Sequence, residues 1–207
     1  MKYPKTYLIT DGKSADDVFD ESLQRLIGLA RASVQNGISY FQLREKNLNA
    51  ANLFRLTKAL ANIVKSSSTR LLVNDRADIA LASGADGVHL TTRSMSVAQL
   101  RRSFGDRLII FTSTHSEAEI VSAAQQGADA VVLGPVFDTP GKRVPLGLNG
   151  LQEACAKFSP FEIIALGGID ESNFRLVLDA GTSGFAAIRG FDSAEKIEML
   201  SNLLQGR

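Results

Sequence analysis

Leu71-Leu72-Val73-Asn74-Asp75-Arg76-Ala77-Asp78-Ile79-Ala80-Leu81-Ala82-Ser83-Gly84-Ala85-Asp86-Gly87-Val88-His89-Leu90 holds a strand, a helix and a second strand in 20 residues. The aliphatic run Leu71 to Asn74 reads as a buried strand, and Ala77 to Ala82 as a short helix. Gly84 reads as its C-terminal cap, and Gly87 to Leu90 as the next strand. Outward from this unit the alternation continues in both directions. Further strands are expected at Tyr7 to Thr10, Tyr40 to Leu43, Leu108 to Thr112, Ala130 to Leu133, Ile163 to Leu166 and Phe185 to Ile188. The intervening helices are expected at Leu23 to Gln35, Asn52 to Val64, Val97 to Phe104, Glu117 to Gln126, Leu148 to Lys157, Asn173 to Asp179 and Ala194 to Leu204. Strict alternation of this kind argues for parallel strands joined by crossover helices. A weak repeat supports it: Gly37, Gly84, Gly127 and Gly181 each fall between a helix and the next strand, 47, 43 and 54 residues apart, about two βα units each. The expected fold is an α/β (β/α)8 TIM barrel, as one domain over residues 1–207. An open doubly wound sheet is the structural alternative.

Composition narrows what such a chain can do. Lysine and arginine total 23 against 22 acidic residues, so no global field favours nucleic acid, an acidic partner or a membrane surface. With 44% hydrophobic residues there is material for one sizeable core. No apolar stretch has the length of a signal peptide or a membrane span, and the chain is expected to be cytoplasmic. Cys155 is the only cysteine and falls in phase with Leu151, Ala154 and Phe158, as a small buried hydrophobe does. Homo-oligomerisation stays open, because an unpaired apolar stripe cannot be told from core in the sequence.

In a barrel of this type the chemistry sits where strands end and the following loops begin. After the second strand, Gln42, Arg44 and Lys46 alternate with Phe41, Leu43 and Glu45, and period-2 geometry puts the amide and both cations on one side. Two inward cations call for an arriving anion, or else for an internal salt bridge to Glu45 or Asp75. Asp75 either caps the following helix or ligates Mg²⁺, with Asn74 beside it. His115 is either a proton carrier or an incidental loop histidine, and Ser116 with Glu119 forms a capping-box pattern. His89 is expected to pack inside the barrel. The connection Gly134 to Arg143 is the candidate lid, carrying Lys142 and Arg143. Gly167-Gly168 after strand seven and Arg189 after strand eight occupy the usual barrel phosphate position. Two separated phosphate subsites are therefore expected, for phosphorylated small molecules.

Gln42-Leu43-Arg44-Glu45-Lys46, Asn74-Asp75-Arg76-Ala77-Asp78, Gly84 to Leu90, Ser113-Thr114-His115, Gly134-Pro135-Val136-Phe137 and Gly167-Gly168-Ile169 together resemble the thiamine phosphate synthase family, which includes the thiazole tautomerases. The resemblance implies a transferase that joins a pyrimidine diphosphate to a thiazole phosphate with Mg²⁺, releasing diphosphate. It implies that Gln42, Arg44, Lys46, Asn74 and Lys142 hold the pyrimidine diphosphate and that Asp75 binds Mg²⁺. Gly168 would help hold the thiazole phosphate, with Gly167, Ser113 and Thr139 as further substrate contacts. Four positions depart from the family pattern. Thr91-Thr92 replaces a Gly-Gln, Ser94 stands where a second metal-binding Asp is usual, Gly141 replaces a lid threonine, and Arg189 replaces a phosphate-binding serine. Arg189 offers a bidentate phosphate contact in compensation. The loss at Ser94 keeps two other readings open: a metal-independent thiazole tautomerase using His115, and a non-catalytic binder of thiamine precursors.

Overall fold

The computed structural model describes residues 3–206. Its strands are β1 (Lys5–Ile9), β2 (Tyr40–Leu43), β3 (Arg70–Asn74), β4 (Gly87–Leu90), β5 (Ile109–Thr114), β6 (Ala130–Leu133), β7 (Glu162–Leu166) and β8 (Gly184–Ala187). The helices that follow them are α1 (Phe19–Gln35), α2 (Ala50–Val64), α3 (Ala77–Ser83), α4 (Val97–Phe104), α5 (Glu117–Gln125), α6 (Gly147–Phe158), α7 (Phe174–Asp179) and α8 (Ala194–Gln205). The strands bond in sequence order as a closed barrel, as the alternation implied. No helix among the described residues is long and apolar enough to cross a membrane.

The chain forms two compact units. In one, Tyr7–Val88 with the residues from Ile188 onward, β1 pairs in parallel with β2 and β2 with β3, setting Leu8 opposite Phe41 and Phe41 opposite Leu71. These strands are near-continuous apolar runs because both of their faces are buried. The helices α1 and α2 pack on each other, α2 also on α3, and α1 on α8. Leu26, Leu56, Leu60 and Leu200 are fully buried between them. In the other unit, the residues up to Thr6 with His89–Ala187, the order is β5, β6, β7, β8, with Thr112 opposite Val131 and Val132 opposite Ile164. Gly184 begins β8 where a Cβ would lie 1.9 Å from the carbonyl oxygen of Lys5, so a side chain there would displace the backbone. Phe174 of α7 packs on Phe185 of β8 with ring centroids 5.7 Å apart.

The repeat has a physical basis. Gly37, Gly84, Gly127 and Gly181 all have positive φ, 67° to 89°, and turn the chain out of the preceding helix. After Gly84 and Gly127 the aspartate two residues later ties the next strand to its neighbour, whereas Gly37 and Gly181 have Ser39 and Ser183 at that place. The Asp86 carboxylate accepts the N–H of Leu71 at 2.9 Å, and that of Asp129 accepts the N–H of Ile110 at 2.7 Å.

Most boundaries lie within two residues of expectation, and the shifts at α1, β5 and β8 are the informative ones. α1 starts at Phe19 rather than Leu23, its first turn carrying Asp20 and Glu21 where the helix dipole favours acids. β5 runs on to Thr114, which puts Ser113 inside the strand. β8 stops at Ala187, and Arg189 opens a short 3-10 turn, Arg189–Phe191. Cys155 is half-buried, and burial pushes its thiol up to about 11.

Candidate functional site

The first unit brings Gln42, Asn74 and Asp75 together in a chain of hydrogen bonds. Gln42, 1% exposed on β2, donates from Nε2 to Asn74 Oδ1 at 3.2 Å. Asn74, the last residue of β3, donates from Nδ2 to Asp75 Oδ2 at 2.8 Å. This leaves Gln42 Oε1 buried with no donor among the described residues. A buried acceptor left without a donor costs about 1–3 kcal/mol.

Asp75 does not cap α3. That position is held by Arg76, which makes no side-chain capping bond and instead pairs with Asp78. Asp75 has φ +60°, and the N–H of Arg76 bonds the carbonyl of Asn74 at 2.8 Å. A bond two residues back across a residue of positive φ is the classic γ-turn, a rare and strained arrangement. It holds an exposed carboxylate directly beside the buried amides.

The expected alternation of Gln42, Arg44 and Lys46 ends with the strand at Leu43. Arg44 is half-buried and Lys46 exposed, while Glu45 between them is 3% exposed. The buried charge is thus the carboxylate rather than the cations. Neither cation pairs with Glu45 or Asp75, and neither enters an ion pair among the described residues. Arg189, in the same unit, is exposed, and its carbonyl accepts from Lys196 Nζ at 3.0 Å.

In the second unit, His115 follows β5. Its Nδ1 bonds the carbonyl of Gly134, which can only accept, so Nδ1 carries the proton and Nε2 is the basic nitrogen of the neutral ring. The capping box is half formed. Ser116 Oγ accepts the N–H of Glu119 at 3.3 Å, but the Glu119 carboxylate takes the N–H of His115 rather than that of Ser116. Ser113 Oγ bonds His89 Nε2 at 2.8 Å, and His89 is 3% exposed, an interior residue as expected.

Gly167 and Gly168 are glycines first for packing. A Cβ on Gly167 would lie 2.6 Å from Pro135 Cα, and one on Gly168 2.8 Å from Phe137 Cβ. Their missing side chains make room for the β6 connection rather than for an anion. The backbone nevertheless remains donor-rich, since the N–H groups of Gly168 and Ile169 have no acceptor among the described residues.

The candidate lid is shorter than expected. Val136 and Phe137 extend the ladder by bonding Leu166 and Gly167 carbonyls at 2.9 and 3.0 Å. Leu146 and Gly147 bond back to Pro135 and Val136 at 2.8 and 3.0 Å. Between these pins, Asp138 and Pro140 to Leu146 are exposed, Val144 to 90%. Lys142 and Arg143 sit on this span without ion pairs among the described residues. Thr139 Oγ1 donates to the carbonyl of Phe137 at 3.1 Å and still has lone pairs to offer.

Sequence reasoning weighed Glu45 only as a salt-bridge partner for the two cations, took Thr10 only as the end of the first strand, and passed over Gly12. The signal was a lone acid between two cations, in a segment whose alternation was assumed to continue.

Cations without ion pairs among the described residues and turns with free N–H groups thus follow several strands of this (β/α)8 barrel. The profile of the thiamine monophosphate synthase family matches residues 6–191, and the chain belongs to that family. A Geobacter sulfurreducens protein provisionally named thiamine-phosphate synthase is 38% identical, over 97% of this chain and 94% of its own. The thiamine-phosphate synthase of Clostridium novyi is 33% identical over 97% and 96%. The solved structure of a thiamine phosphate pyrophosphorylase from Pyrococcus furiosus superposes with a TM-score of 0.84 at 29% identity, covering 99% of this chain and 96% of its own.

For a metal, the donors are hard oxygens but few. No group of three or more His, Cys, Asp or Glu side chains is arranged to hold an ion among the described residues. Ser94, where the family resemblance puts a second carboxylate, instead accepts the N–H of Thr91 at 2.6 Å. The Asp75 carboxylate fits Mg²⁺ of the kind that takes one protein ligand and completes its shell with water and phosphate oxygens.

Proposed function

We propose that the chain is a thiamine-phosphate synthase. It joins 4-amino-5-hydroxymethyl-2-methylpyrimidine diphosphate to hydroxyethylthiazole phosphate, giving thiamine phosphate and diphosphate. The observation that carries this reading is the pair Arg44 and Lys46, which enter no ion pair among the described residues and follow closely in sequence on Gln42 of the Gln42–Asn74–Asp75 chain, in a member of this family.

In this reading the bond from the pyrimidine methylene to the diphosphate oxygen breaks, and the leaving group takes the electron pair. The thiazole nitrogen then bonds the methylene carbon, so no protein nucleophile is needed. Arg44, Lys46 and Lys142 meet charge that grows as the diphosphate departs, and so favour the transition state over the ground state. Gln42 Oε1 accepts an amino hydrogen of the pyrimidine, and Asn74 keeps that amide oriented. The N–H groups of Gly168 and Ile169 hold the thiazole phosphate, with Arg189, Ser113 and Thr139 as further substrate contacts. Asp75 would hold Mg²⁺, which supplies positive charge to the diphosphate oxygens when bound.

The test is an assay of the purified chain with both precursors and Mg²⁺. Formation of thiamine phosphate is expected. Isomerisation of the thiazole that vanishes in His115→Ala would make it a tautomerase, consistent with a fixed Nδ1–H and a basic Nε2. Binding of the precursors without either product would make it a non-catalytic binder.

A further inference from the structure

Glu45 is a nearly fully buried carboxylate that enters no ion pair among the described residues, an expensive arrangement unless its oxygens are well bonded. Its partners are two backbone groups of the loop after β1. The N–H of Gly12 donates to one oxygen at 3.3 Å and the N–H of Ser14 to the other at 2.8 Å. Two more bonds join the same segments: Thr10 N–H to the Gln42 carbonyl at 3.0 Å, and, in the opposite direction, Arg44 N–H to Thr10 Oγ1 at 2.8 Å. Four bonds therefore lace residues 10–14 to residues 42–45. The lacing ends on Arg44 itself. A Cβ on Gly12 would sit 3.3 Å from Arg44 Nη1 and 3.4 Å from its carbonyl, and Gly12 has φ +77°. The guanidinium thus lies against a backbone face that only glycine presents, and Glu45 holds that face in place.

We propose that Glu45 is a positioning residue for the diphosphate clamp: it fixes the Gly12–Ser14 loop as the seat of the Arg44 guanidinium. The inference rests on the synthase reading for the assignment of Arg44 to diphosphate. A half-buried arginine with no carboxylate partner would otherwise sample several rotamers, and each anion bound would have to restrict them. Glutamate suits the role better than its isosteric amide. Glutamine offers one acceptor oxygen and turns an NH₂ donor toward the second N–H, so one bond is kept and the other becomes repulsive.

The experiment measures binding of inorganic diphosphate to the full chain by calorimetry at fixed Mg²⁺, together with the Michaelis constants for both substrates. In Glu45→Gln, diphosphate affinity and the Michaelis constant for the pyrimidine diphosphate should each worsen by about tenfold, the scale of one charged hydrogen bond. The Michaelis constant for the thiazole phosphate should not move. Gly12→Ala, which leaves Glu45 intact, should act in the same direction. In an Arg44→Ala background, Glu45→Gln should cost no further affinity, since the residue it positions is gone. Full diphosphate affinity in Glu45→Gln beside a loss in Arg44→Ala would overturn the proposal while leaving the synthase reading intact. A further loss in the Arg44→Ala background, or equal effects on both substrates, would also overturn it by showing a general structural role. Unchanged affinity in Arg44→Ala would overturn both, and would be read from that variant alone.

Discussion

At Asp75 the backbone is held at φ +60° between a buried amide and the start of α3, in a turn that an ordinary L-residue avoids. Aspartate is among the few side chains that tolerate this region, and the structure spends that tolerance on an exposed carboxylate rather than on a helix cap. Asp75→Gly relieves this strain but also loses the bond from Asn74, so it should be the most stable of the replacements that lose that bond, by about 1 kcal/mol. Asp75→Val should lower stability by about 1–2 kcal/mol, because a β-branched residue cannot relax there. Both should lose synthase activity, so thermal melts beside turnover will separate strain from function. An Asp75→Gly protein no more stable than Asp75→Val, which loses the same bond from Asn74, would show that the turn is not strained. Cys155 makes the opposite case, a reactive group kept inert. Burial holds its thiol near about 11, so the thiolate is scarce at neutral pH and grows only as pH climbs toward that value. Alkylation by iodoacetamide at pH 8 should be slower than for a free thiol by about a hundredfold, and should become fast on denaturation. Neither property could be read from the sequence in full. The pairing of Cys155 with apolar neighbours was visible in helical phase, whereas the sign of φ at Asp75 depends on where β3 ends.

Between Phe137 and Gly147 the chain is pinned at both ends and exposed in the middle, which divides the connection into a rigid root and a free span. Lys142 and Arg143 lie on the free span, so trypsin should cut there first in the protein without substrate, while leaving the barrel strands whole. If Lys142 meets the leaving diphosphate, adding pyrimidine diphosphate and Mg²⁺ should slow that cut, and Lys142→Ala should remove part of the protection. Cutting unaffected by the substrate would return Lys142 to the solvated loop cations. The position of this connection was legible in its Pro and Gly residues, but its root was not. Val136 and Phe137 look like loop residues in sequence, and only their bonds to β7 show that they prolong the sheet. Elements with a strong period were read well: β2, β4, β6 and α4 fall where their patterns put them. The one costly misreading was continuing the alternation of β2 past Leu43, which turned Glu45 outward on paper when it is buried in fact.

Over the whole molecule the charges nearly cancel, at a formal +1, so attraction for a multiply charged substrate must come from local cations rather than from a long-range field. In the proposed reading Arg44, Lys46, Lys142 and Arg189, which enter no ion pair among the described residues, would supply it, and Asp75 would be the acid that shares a metal with the diphosphate. A single exposed carboxylate is a weak site for a cation that gives up water reluctantly. The protein alone should therefore bind Mg²⁺ poorly, and the metal should enter largely as a complex with the pyrimidine diphosphate. Three measurements follow from this order. Calorimetry should detect no tight Mg²⁺ binding to the free chain, and should detect it once pyrimidine diphosphate is present. Chelation with EDTA should stop thiamine phosphate formation, and added Mg²⁺ should restore it. Asp75→Asn, which keeps the shape and the tolerance for positive φ but removes the charge, should raise the Mg²⁺ concentration needed for half-maximal rate by at least about tenfold, or abolish turnover, with the melting temperature unchanged. Tight Mg²⁺ binding to the free chain would point to ligands beyond Asp75, and turnover indifferent to both EDTA and Asp75→Asn would reject a metal-assisted departure of diphosphate altogether.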